Sequence, residues 1–516
     1  MCMQKFLRTL GLVLVGAFLV SACVPADLAV AAAPQASLGK VVLATGVDTN
    51  TMDPAVTNAR ASSIIVENMF DSLLWRDPKT NALIPHLAES YKVSDDGLLW
   101  TLKLRQDVKF WNGDPFTSAD VKFSIVRIQD PNLKSQYRPH IADIKQINTP
   151  DPYTVELVMA KPNPILPAYF VQTIKIVPMK YTQQVGNDQF ARKPMGSGPF
   201  KFVEWVKDDH LTLAANKDYF LGPPKIDTLI FRPIPEASTR LAELLSGTVD
   251  VITNVPPQMI AQINTSPNTA TASVGTSRQI YVGLRTEVKP LDDVRVRQAI
   301  NYAVDIDAII KNVLGGNATR VPAAVPFHTF GHDPTLKPYP YDPQKAKTLL
   351  TEAGYPNGFT IDFDSPNGRY LKDKEVAQVI AGYLAKVGIK ANVNVKEWGL
   401  YSTQVDKRIA SPMFLLGWGG GGTFEADTTL NTQLRSTDYH SFYYNTELDK
   451  FLDIARTTFD TKKRLEAYKQ AQAIIYRDAP WLFLWVETAT WGMNKRIDWK
   501  PRPDEALWGF DAAPAK

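Results

Sequence analysis

Phe359 to Lys396 reads FTIDFDSPNGRYLKDKEVAQVIAGYLAKVGIKANVNVK. Phe359, Ile361 and Phe363 alternate with polar neighbours, the period of a strand, and Ser365 to Tyr370 is turn-rich loop. Val376, Val379, Ile380, Tyr383, Leu384 and Val387 then recur at helical spacing until Gly388 stops them. Ile389, Ala391, Val393 and Val395 alternate with Lys390, Asn392, Asn394 and Lys396. Strand, helix and strand in that order form a βαβ unit, which requires a parallel pair joined by a right-handed crossover. The predicted class is therefore α/β.

Downstream, Met413 to Leu416 is an apolar run suited to a buried strand, and it passes through Gly417-Trp418 into four glycines. Upstream, Asp342-Pro343 starts a helix with Ala346, Leu349, Leu350 and Ala353 inward and Gly354 as terminator. Asp292-Asp293 opens another, with Val296, Ala299, Ile300, Ala303 and Val304 on one face. Pro235 precedes a helix carrying Leu241, Leu244 and Leu245 that ends at Gly247. Further back the pattern changes: Leu98, Trp100, Leu102 and Leu104 alternate as in a half-buried antiparallel strand after the Asp95-Asp96-Gly97 turn, and Thr117 with Asp120 caps a helix. Lys40 to Ala44, the loop Val47 to Asn58, and Ile64, Ile65, Asn68, Met69 and Leu73 suggest strand, loop and helix. Breaks fall at Trp75, Gly196 and Ile280, with no internal repeat. The mixture reads as α/β lobes with an inserted antiparallel portion.

The first residues are an export signal. Lys5 and Arg8 precede an apolar run from Leu10 to Val20, shorter than a membrane span requires. Val20-Ser21-Ala22-Cys23 has the form of a lipidation site, with Cys23 as anchor. Ordinary cleavage near Ala29-Val30-Ala31, before an Ala/Pro linker, is the other reading. Cys2 is the only other cysteine, so the mature chain carries no disulfide and no thiolate ligand. Net charge is +4, from 57 basic and 53 acidic residues mixed along the chain, and no basic block marks a nucleic-acid partner. Eleven Trp, 19 Tyr and 23 Phe supply enough aromatic surface to line a pocket as well as a core.

Ligands of open α/β sheets bind at the carboxyl ends of strands, where helix starts and irregular backbone face a crevice. Two loops hold that position: Ser365 to Tyr370 and Trp418 to Asp427. Arg369 can pair with a carboxylate, Trp418 and Phe424 can wall a pocket, and Glu425 or Asp427 can meet an ammonium, with Gly419 and Gly420 allowing close backbone approach. Together they describe a pocket for a small zwitterion. Arg285, after the run Ile280 to Leu284, is a further candidate. His328 and His332 stand four apart, but their loop surroundings argue against a metal pair, and no cofactor is expected. No Gly-x-Ser-x-Gly elbow exists, and the paired carboxylates sit where capping explains them. Patterning thus reaches an exported α/β binding protein, with an exported peptide hydrolase and a chaperone-like protein as the alternatives of other classes.

Longer strings narrow this. Leu83 to Arg127 (LIPHLAESYKVSDDGLLWTLKLRQDVKFWNGDPFTSADVKFSIVR), GSGPFKFVEW (Gly196 to Trp205), LAELLSGTVDV (Leu241 to Val251), DDVRVRQAINYAVD (Asp292 to Asp305) and YDPQKAKTLLTEAGYPNGF (Tyr341 to Phe359) occur in one order. From about Lys40 to Asp511 the chain resembles the extracytoplasmic solute-binding proteins of ABC importers, the peptide/nickel/opine-binding group called family 5. The resemblance implies a two-lobe fold of the periplasmic-binding-protein type II kind with an extra α+β domain inserted in the first lobe. Carried onto this chain, residues 1–22 are signal peptide, 23–38 linker, 39–75, 195–275 and 490–516 lobe I, 76–194 the inserted domain, and 276–489 lobe II. It also implies a monomer that closes on its solute and serves a permease and an ATPase in periplasm or at the outer face of the membrane. Peptide binders of the family place an Asp three residues after a Trp like Trp418, to pair with the peptide ammonium; here that position is Gly421. The segment Trp418 to Asp427, Asp449 and Ala467 to Trp481 are similar to glutathione-binding members. The implied solute is glutathione or a short peptide, with an opine, an oligosaccharide or a nickel complex as the alternatives, and Glu425 or Asp427 in place of the missing Asp.

Overall fold

The computed structural model describes residues 37–515 apart from 57, 58, 78, 79, 81, 420, 421 and 439. Cys23, Gly420 and Gly421 lie outside the described residues. One long sheet runs through the molecule. Its strands lie in the order Ile389–Lys396, Phe359–Pro366, Met413–Trp418, Thr269–Leu284, Trp481–Asn494, Val251–Ile252, Lys40–Thr45, Thr228–Pro233, His210–Ala215 and Phe200–Val206. Thr269–Leu284 and Trp481–Asn494 pair antiparallel from Thr269 with Asn494 to Gly283 with Trp481, and the register shifts between Gly275 and Gln279. These two strands carry the sheet from one half to the other. The lobe limits expected at 275/276 and 489/490 fall inside them, close to that shift, where Gly275 stands opposite Thr488.

Around the sheet, buried apolar side chains form separate clusters. Leu43, Phe70, Phe200, Leu229, Val251, Trp491 and Trp499 belong to one, and Val42, Ala44, Leu241, Leu244 and Ile252 pack on the opposite face of the same strands. A second body surrounds the four-stranded antiparallel sheet Ala88–Val93, Leu99–Leu104, Thr154–Met159, Ile144–Asp151, with Trp100, Phe116, Ile125, Val155 and Phe170 inside. The largest cluster holds Ile280, Val282, Ile300, Phe363, Ile380, Leu415, Tyr468 and Trp485. Trp100, Leu102 and Leu104 are buried as their alternation predicts, and the Thr117 amide donates to the Asp120 carboxylate at 2.9 Å, starting the helix Ser118–Gln129. One element differs from the sequence reading. The first helix spans only Arg60–Val66. Asn68 and Met69 leave the helix because their carbonyls accept from Phe200 and Gly198 at 3.0 Å each, and the Asn68 amide donates to the Leu507 carbonyl at 2.9 Å.

The βαβ unit decides where the cleft is. Phe359–Pro366 and Ile389–Lys396 pair in parallel, Phe359 with Ile389 through Pro366 with Lys396, and the helix Asp373–Ala385 buries Val376, Ala377, Ile380 and Leu384 against them. The strand Met413–Trp418 joins on the other side, also parallel. Lys40–Thr45 is likewise parallel to both its neighbours. The carboxyl ends of the two parallel groups face one another, and there the halves touch. A methyl built on Gly46 would lie 1.8 Å from the Gly368 carbonyl oxygen. The turn that enters the unit is equally tight: Gly358 has φ +74°, and its added methyl would lie 1.8 Å from the Gly388 oxygen. Gly358→Ala should therefore lower unfolding stability by more than about 1 kcal/mol, since it adds left-handed strain to a backbone clash. Urea unfolding of the two proteins checks this, and an unchanged midpoint would refute it.

Candidate functional site

Where the strand ends meet, the fold forms a cavity open to solvent at its mouth. Ala59, Arg60, Gln136 and Gln172 line it from the N-terminal side, Asp504 and Glu505 from near the C-terminus, and Arg278, Arg369, Tyr370, Trp398, Asp406, Trp418, Gly419 and His440 from the remainder. Most of these charges are neutralised within the wall. Arg60 meets Glu67 at 2.6 Å, Arg278 meets Glu505 at 2.8 Å and Glu487 at 3.4 Å, and Asp504 meets Arg502 at 2.8 Å. Burial works against the Arg60 charge, but Glu67, with Asp504 and Glu505, more than offsets it and the guanidinium is held above its usual range.

Arg369 differs. Its loop is shaped by the Asp373 carboxylate at the helix start, which accepts from the backbone amides of Gly368 at 3.1 Å, Arg369 at 2.9 Å and Tyr370 at 3.1 Å. The Arg369 carbonyl accepts from the Asn254 side chain at 3.2 Å, across the cleft. The guanidinium lies over Tyr370 and Trp398, 5.0 and 5.2 Å from the ring centroids. The residue is 8% exposed, its Nε is buried without a hydrogen-bond partner, and no carboxylate among the described residues forms an ion pair with it. Burial, and then the nearby Arg278 charge, push its pKa down to about 10. Glu505 and Glu487 act on it only from a distance, so Arg369 is a buried cation without a direct carboxylate partner among the described residues.

Of the other residues singled out in the sequence, Trp418 and Gly419 line the cavity, the Trp418 ring lying 5.8 Å from that of His440. Phe424, Glu425, Asp427 and Arg285 do not. Phe424 packs under Arg76, 5.1 Å from ring centroid to guanidinium. Glu425 forms an ion pair with Arg464 at 2.8 Å. Asp427, fully buried, accepts from Tyr169 at 2.5 Å, Asn431 at 2.6 Å and Arg456 at 3.1 Å, so its oxygens are committed. Arg285 follows Leu284, which pairs with Met413, whereas the cavity end of that strand is Gln279 opposite Trp418. It bonds Glu287 at 3.0 Å and the Ala410 carbonyl at 2.8 Å instead. In exchange, the structure brings in Arg60, Arg278, Trp398, Asp406, His440 and Glu505. Trp398 and Asp406 stand on the helix Trp398–Asp406, directly after a strand end, a position the strand-end rule could have flagged. Arg278 and Glu505 reach the cavity through long-range packing that no local pattern announces.

Residues 82–441 match the family model described as bacterial extracellular solute-binding proteins, family 5 middle. The chain belongs to this family. It is 33% identical over 474 residues to the glutathione-binding protein GsiB of Shigella boydii serotype 4 (strain Sb227), covering 89% of this chain and 91% of the relative. Among solved structures it resembles the ABC transporter-associated periplasmic binding protein DppA of Helicobacter pylori in complex with peptide STSA, with 29% identity, TM-score 0.86, and 93% of this chain and 99% of that one covered. It also resembles the binding protein AgaA of A. tumefaciens R10 in complex with agropinic acid, with 27% identity, TM-score 0.85 and coverage of 93% and 99%. The type II-like two-lobe fold and the family read from the sequence are thus both established. This is a family of extracytoplasmic binding proteins rather than enzymes, serving ABC importers. Among the described residues no helix is long and apolar enough to cross a membrane.

The Glu425 ion pair has a pH signature. Burial raises the Glu425 pKa to about 7 from 4.5, with Arg464 opposing. A carboxyl raised in the folded state costs stability as it ionises, so its unfavourable contribution grows as pH rises from about 4.5 through about 7. Glu425→Gln should then gain on the parent protein by on the order of 2 kcal/mol between pH 5 and pH 8. Thermal unfolding of both proteins across that range checks this; a constant difference would refute it.

Proposed function

We propose that this chain captures a small peptide-like zwitterion, glutathione or a short peptide, and delivers it to an ABC permease by closing its lobes around it. The observation that carries this reading is the Arg369 guanidinium, buried over two aromatic rings with no carboxylate of its own. A ligand carboxylate there forms charge-assisted bonds in a low-dielectric site. Glutathione-binding and peptide-binding relatives support the substrate class. The opine-bound neighbour supports a second reading, since a carboxylate-bearing opine meets the same guanidinium. Lobe I is taken as 39–75, 195–275 and 490–516, the inserted domain as 76–194 and lobe II as 276–489, with the hinge where the two long strands shift register. The protein works as a monomer in the periplasm or tethered at the outer face of the membrane through Cys23.

Closure follows from the walls. Ala59 and Arg60, Gln136 and Gln172, and Arg369 with Trp418 come from three differently packed bodies, so a ligand touches all of them only when the cleft is shut. A solute that binds the shut form better shifts the population toward it. Two outcomes are expected. Arg369→Met keeps an apolar stem beside Tyr370 and Trp398 but removes the charge, and should weaken glutathione binding about 10- to 100-fold by calorimetry, the worth of hydrogen bonds to a charged group. Unchanged affinity would refute the carboxylate assignment. Gly46→Val puts a side chain into the Gly368 backbone. It should hold the cleft open, so that glutathione no longer reduces the radius of gyration in X-ray scattering while thermal stability without solute stays near that of the parent. Normal compaction would remove the contact from the mechanism.

A further inference from the structure

Glu505 lines the cavity from a segment near the C-terminus, and its φ of +59° is a left-handed backbone uncommon for a residue with a side chain. The backbone of 502–506 is fixed without that side chain. Arg502 bonds the Asp504 carboxylate at 2.8 and 3.0 Å and Asp511 at 3.1 Å, and Asp504 accepts from the Ala506 amide at 3.1 Å. The Pro503 carbonyl accepts from the Ser277 amide at 3.1 Å, and the Arg502 carbonyl from the Glu505 amide at 2.9 Å. What the strained residue achieves is the direction of its carboxylate, which meets Arg278 Nη2 at 2.8 Å. Arg278 does not depend on this contact for neutralisation. Glu487 stands 3.4 Å from its other terminal nitrogen and is itself held by the Leu371 amide at 3.1 Å.

The cation beside it is Arg369. Both guanidiniums lie over the Tyr370 ring, that of Arg278 at 5.6 Å and that of Arg369 at 5.0 Å from its centroid, so one tyrosine gathers two positive charges in the cavity wall. A carboxylate entering at Arg369 comes close to the Glu505 carboxylate, and like charges in a partly buried wall repel more strongly than in water. The Glu505 side chain has another place to go. A neighbouring cavity shares Arg60, Arg278, Arg369 and Glu505 with the first, and Arg60 has a buried Nε without a hydrogen-bond partner. We infer that Glu505 is a built-in stand-in for the solute's carboxylate: it holds Arg278 in the empty cleft, opposes an anion at Arg369, and turns toward Arg60 when the solute arrives. It is an autoinhibitory contact that sets how tightly the cleft takes carboxylates. This inference rests on the proposed function above, in which a solute carboxylate meets Arg369.

The test is calorimetric titration of solute-stripped parent protein, Glu505→Gln and Glu505→Gly with glutathione, trialanine and trialanine amide, which lacks the carboxylate. Gln keeps the size of the side chain without its charge, and Gly suits the left-handed backbone, so the two variants do not share one folding risk. Both should bind glutathione and trialanine at least about 5-fold more tightly than the parent, the order expected from removing one nearby like charge. Trialanine amide should gain nothing. A folded variant that binds neither glutathione nor trialanine more tightly than the parent does overturns the inference and leaves the proposed function standing. Equal gains for trialanine and its amide also overturn it, because a gain without a carboxylate reflects loop packing. Failure of parent and variants alike to bind glutathione and trialanine overturns the peptide-like reading itself and the inference with it.

Discussion

A guanidinium held out of water without a carboxylate is expensive, several kilocalories per mole even after relaxation, and the cleft is organised around that cost at Arg369. The Asp373 carboxylate spends its oxygens on the backbone amides of residues 368–370 and so fixes the loop rather than neutralising the charge. Tyr370 and Trp398 offer their faces, which recover part of the lost hydration. Arg278, which could compete for an incoming anion, is instead tied to Glu487 and Glu505. Each of these choices leaves the charge of Arg369 to be completed from outside. On the proposed function, a solute carboxylate would meet a cation already placed, because the folding energy of the surrounding elements has met the cost of holding it there.

That placement links binding to closure. The Arg369 carbonyl accepts from Asn254, Gly368 presses on Gly46, and Asn50 donates to Ser402 at 3.3 Å, all between opposite sides of the cleft. In an open cleft water reaches Arg369 and its desolvation cost falls. Shutting without a ligand restores the cost, whereas shutting on a carboxylate removes it. The free-energy difference between the two outcomes is what makes the shut form report that solute is present. The two long strands carry the connection between the halves through paired extended backbone with a register shift.

How much of this was legible in the sequence depends on whether the determinant is local. The βαβ unit from Phe359 to Lys396, the capped helix after Thr117 and the buried strand at Met413 are set by side-chain periods and turn residues within one segment, and all three appear where those patterns put them. Arg369 and Trp418 reach the cavity because strand ends face the crevice in an α/β sheet, a rule of topology that sequence order conveys. The first helix stops at Val66 because residues 68 and 69 bond the chain near Gly198, more than a hundred positions away. Arg285 is misplaced by the sequence for a related reason: which end of its strand faces the cleft depends on the antiparallel partner, and nothing in the run Ile280 to Leu284 names that partner.

Glu425 and Asp427 show why charge beside a glycine-rich loop is ambiguous. An acidic residue there can face a ligand or an adjoining domain, and both demand a buried cationic or hydroxyl partner. Asp427 meets Tyr169, from the body built around the four-stranded sheet, and Arg456 from its own; His140 stacks on Tyr169 with ring centroids 4.7 Å apart and reaches Thr432 at 3.3 Å. Burial drives the His140 pKa down to about 3, so the imidazole stays neutral and adds no charge to the network. Arg76 donates to the Thr423 carbonyl nearby. These contacts join the segment after Trp418 to distant parts of the chain. Separation from Tyr169 would expose the Asp427 carboxylate to water or leave it to Asn431 and Arg456, and the arginine makes the second outcome tolerable.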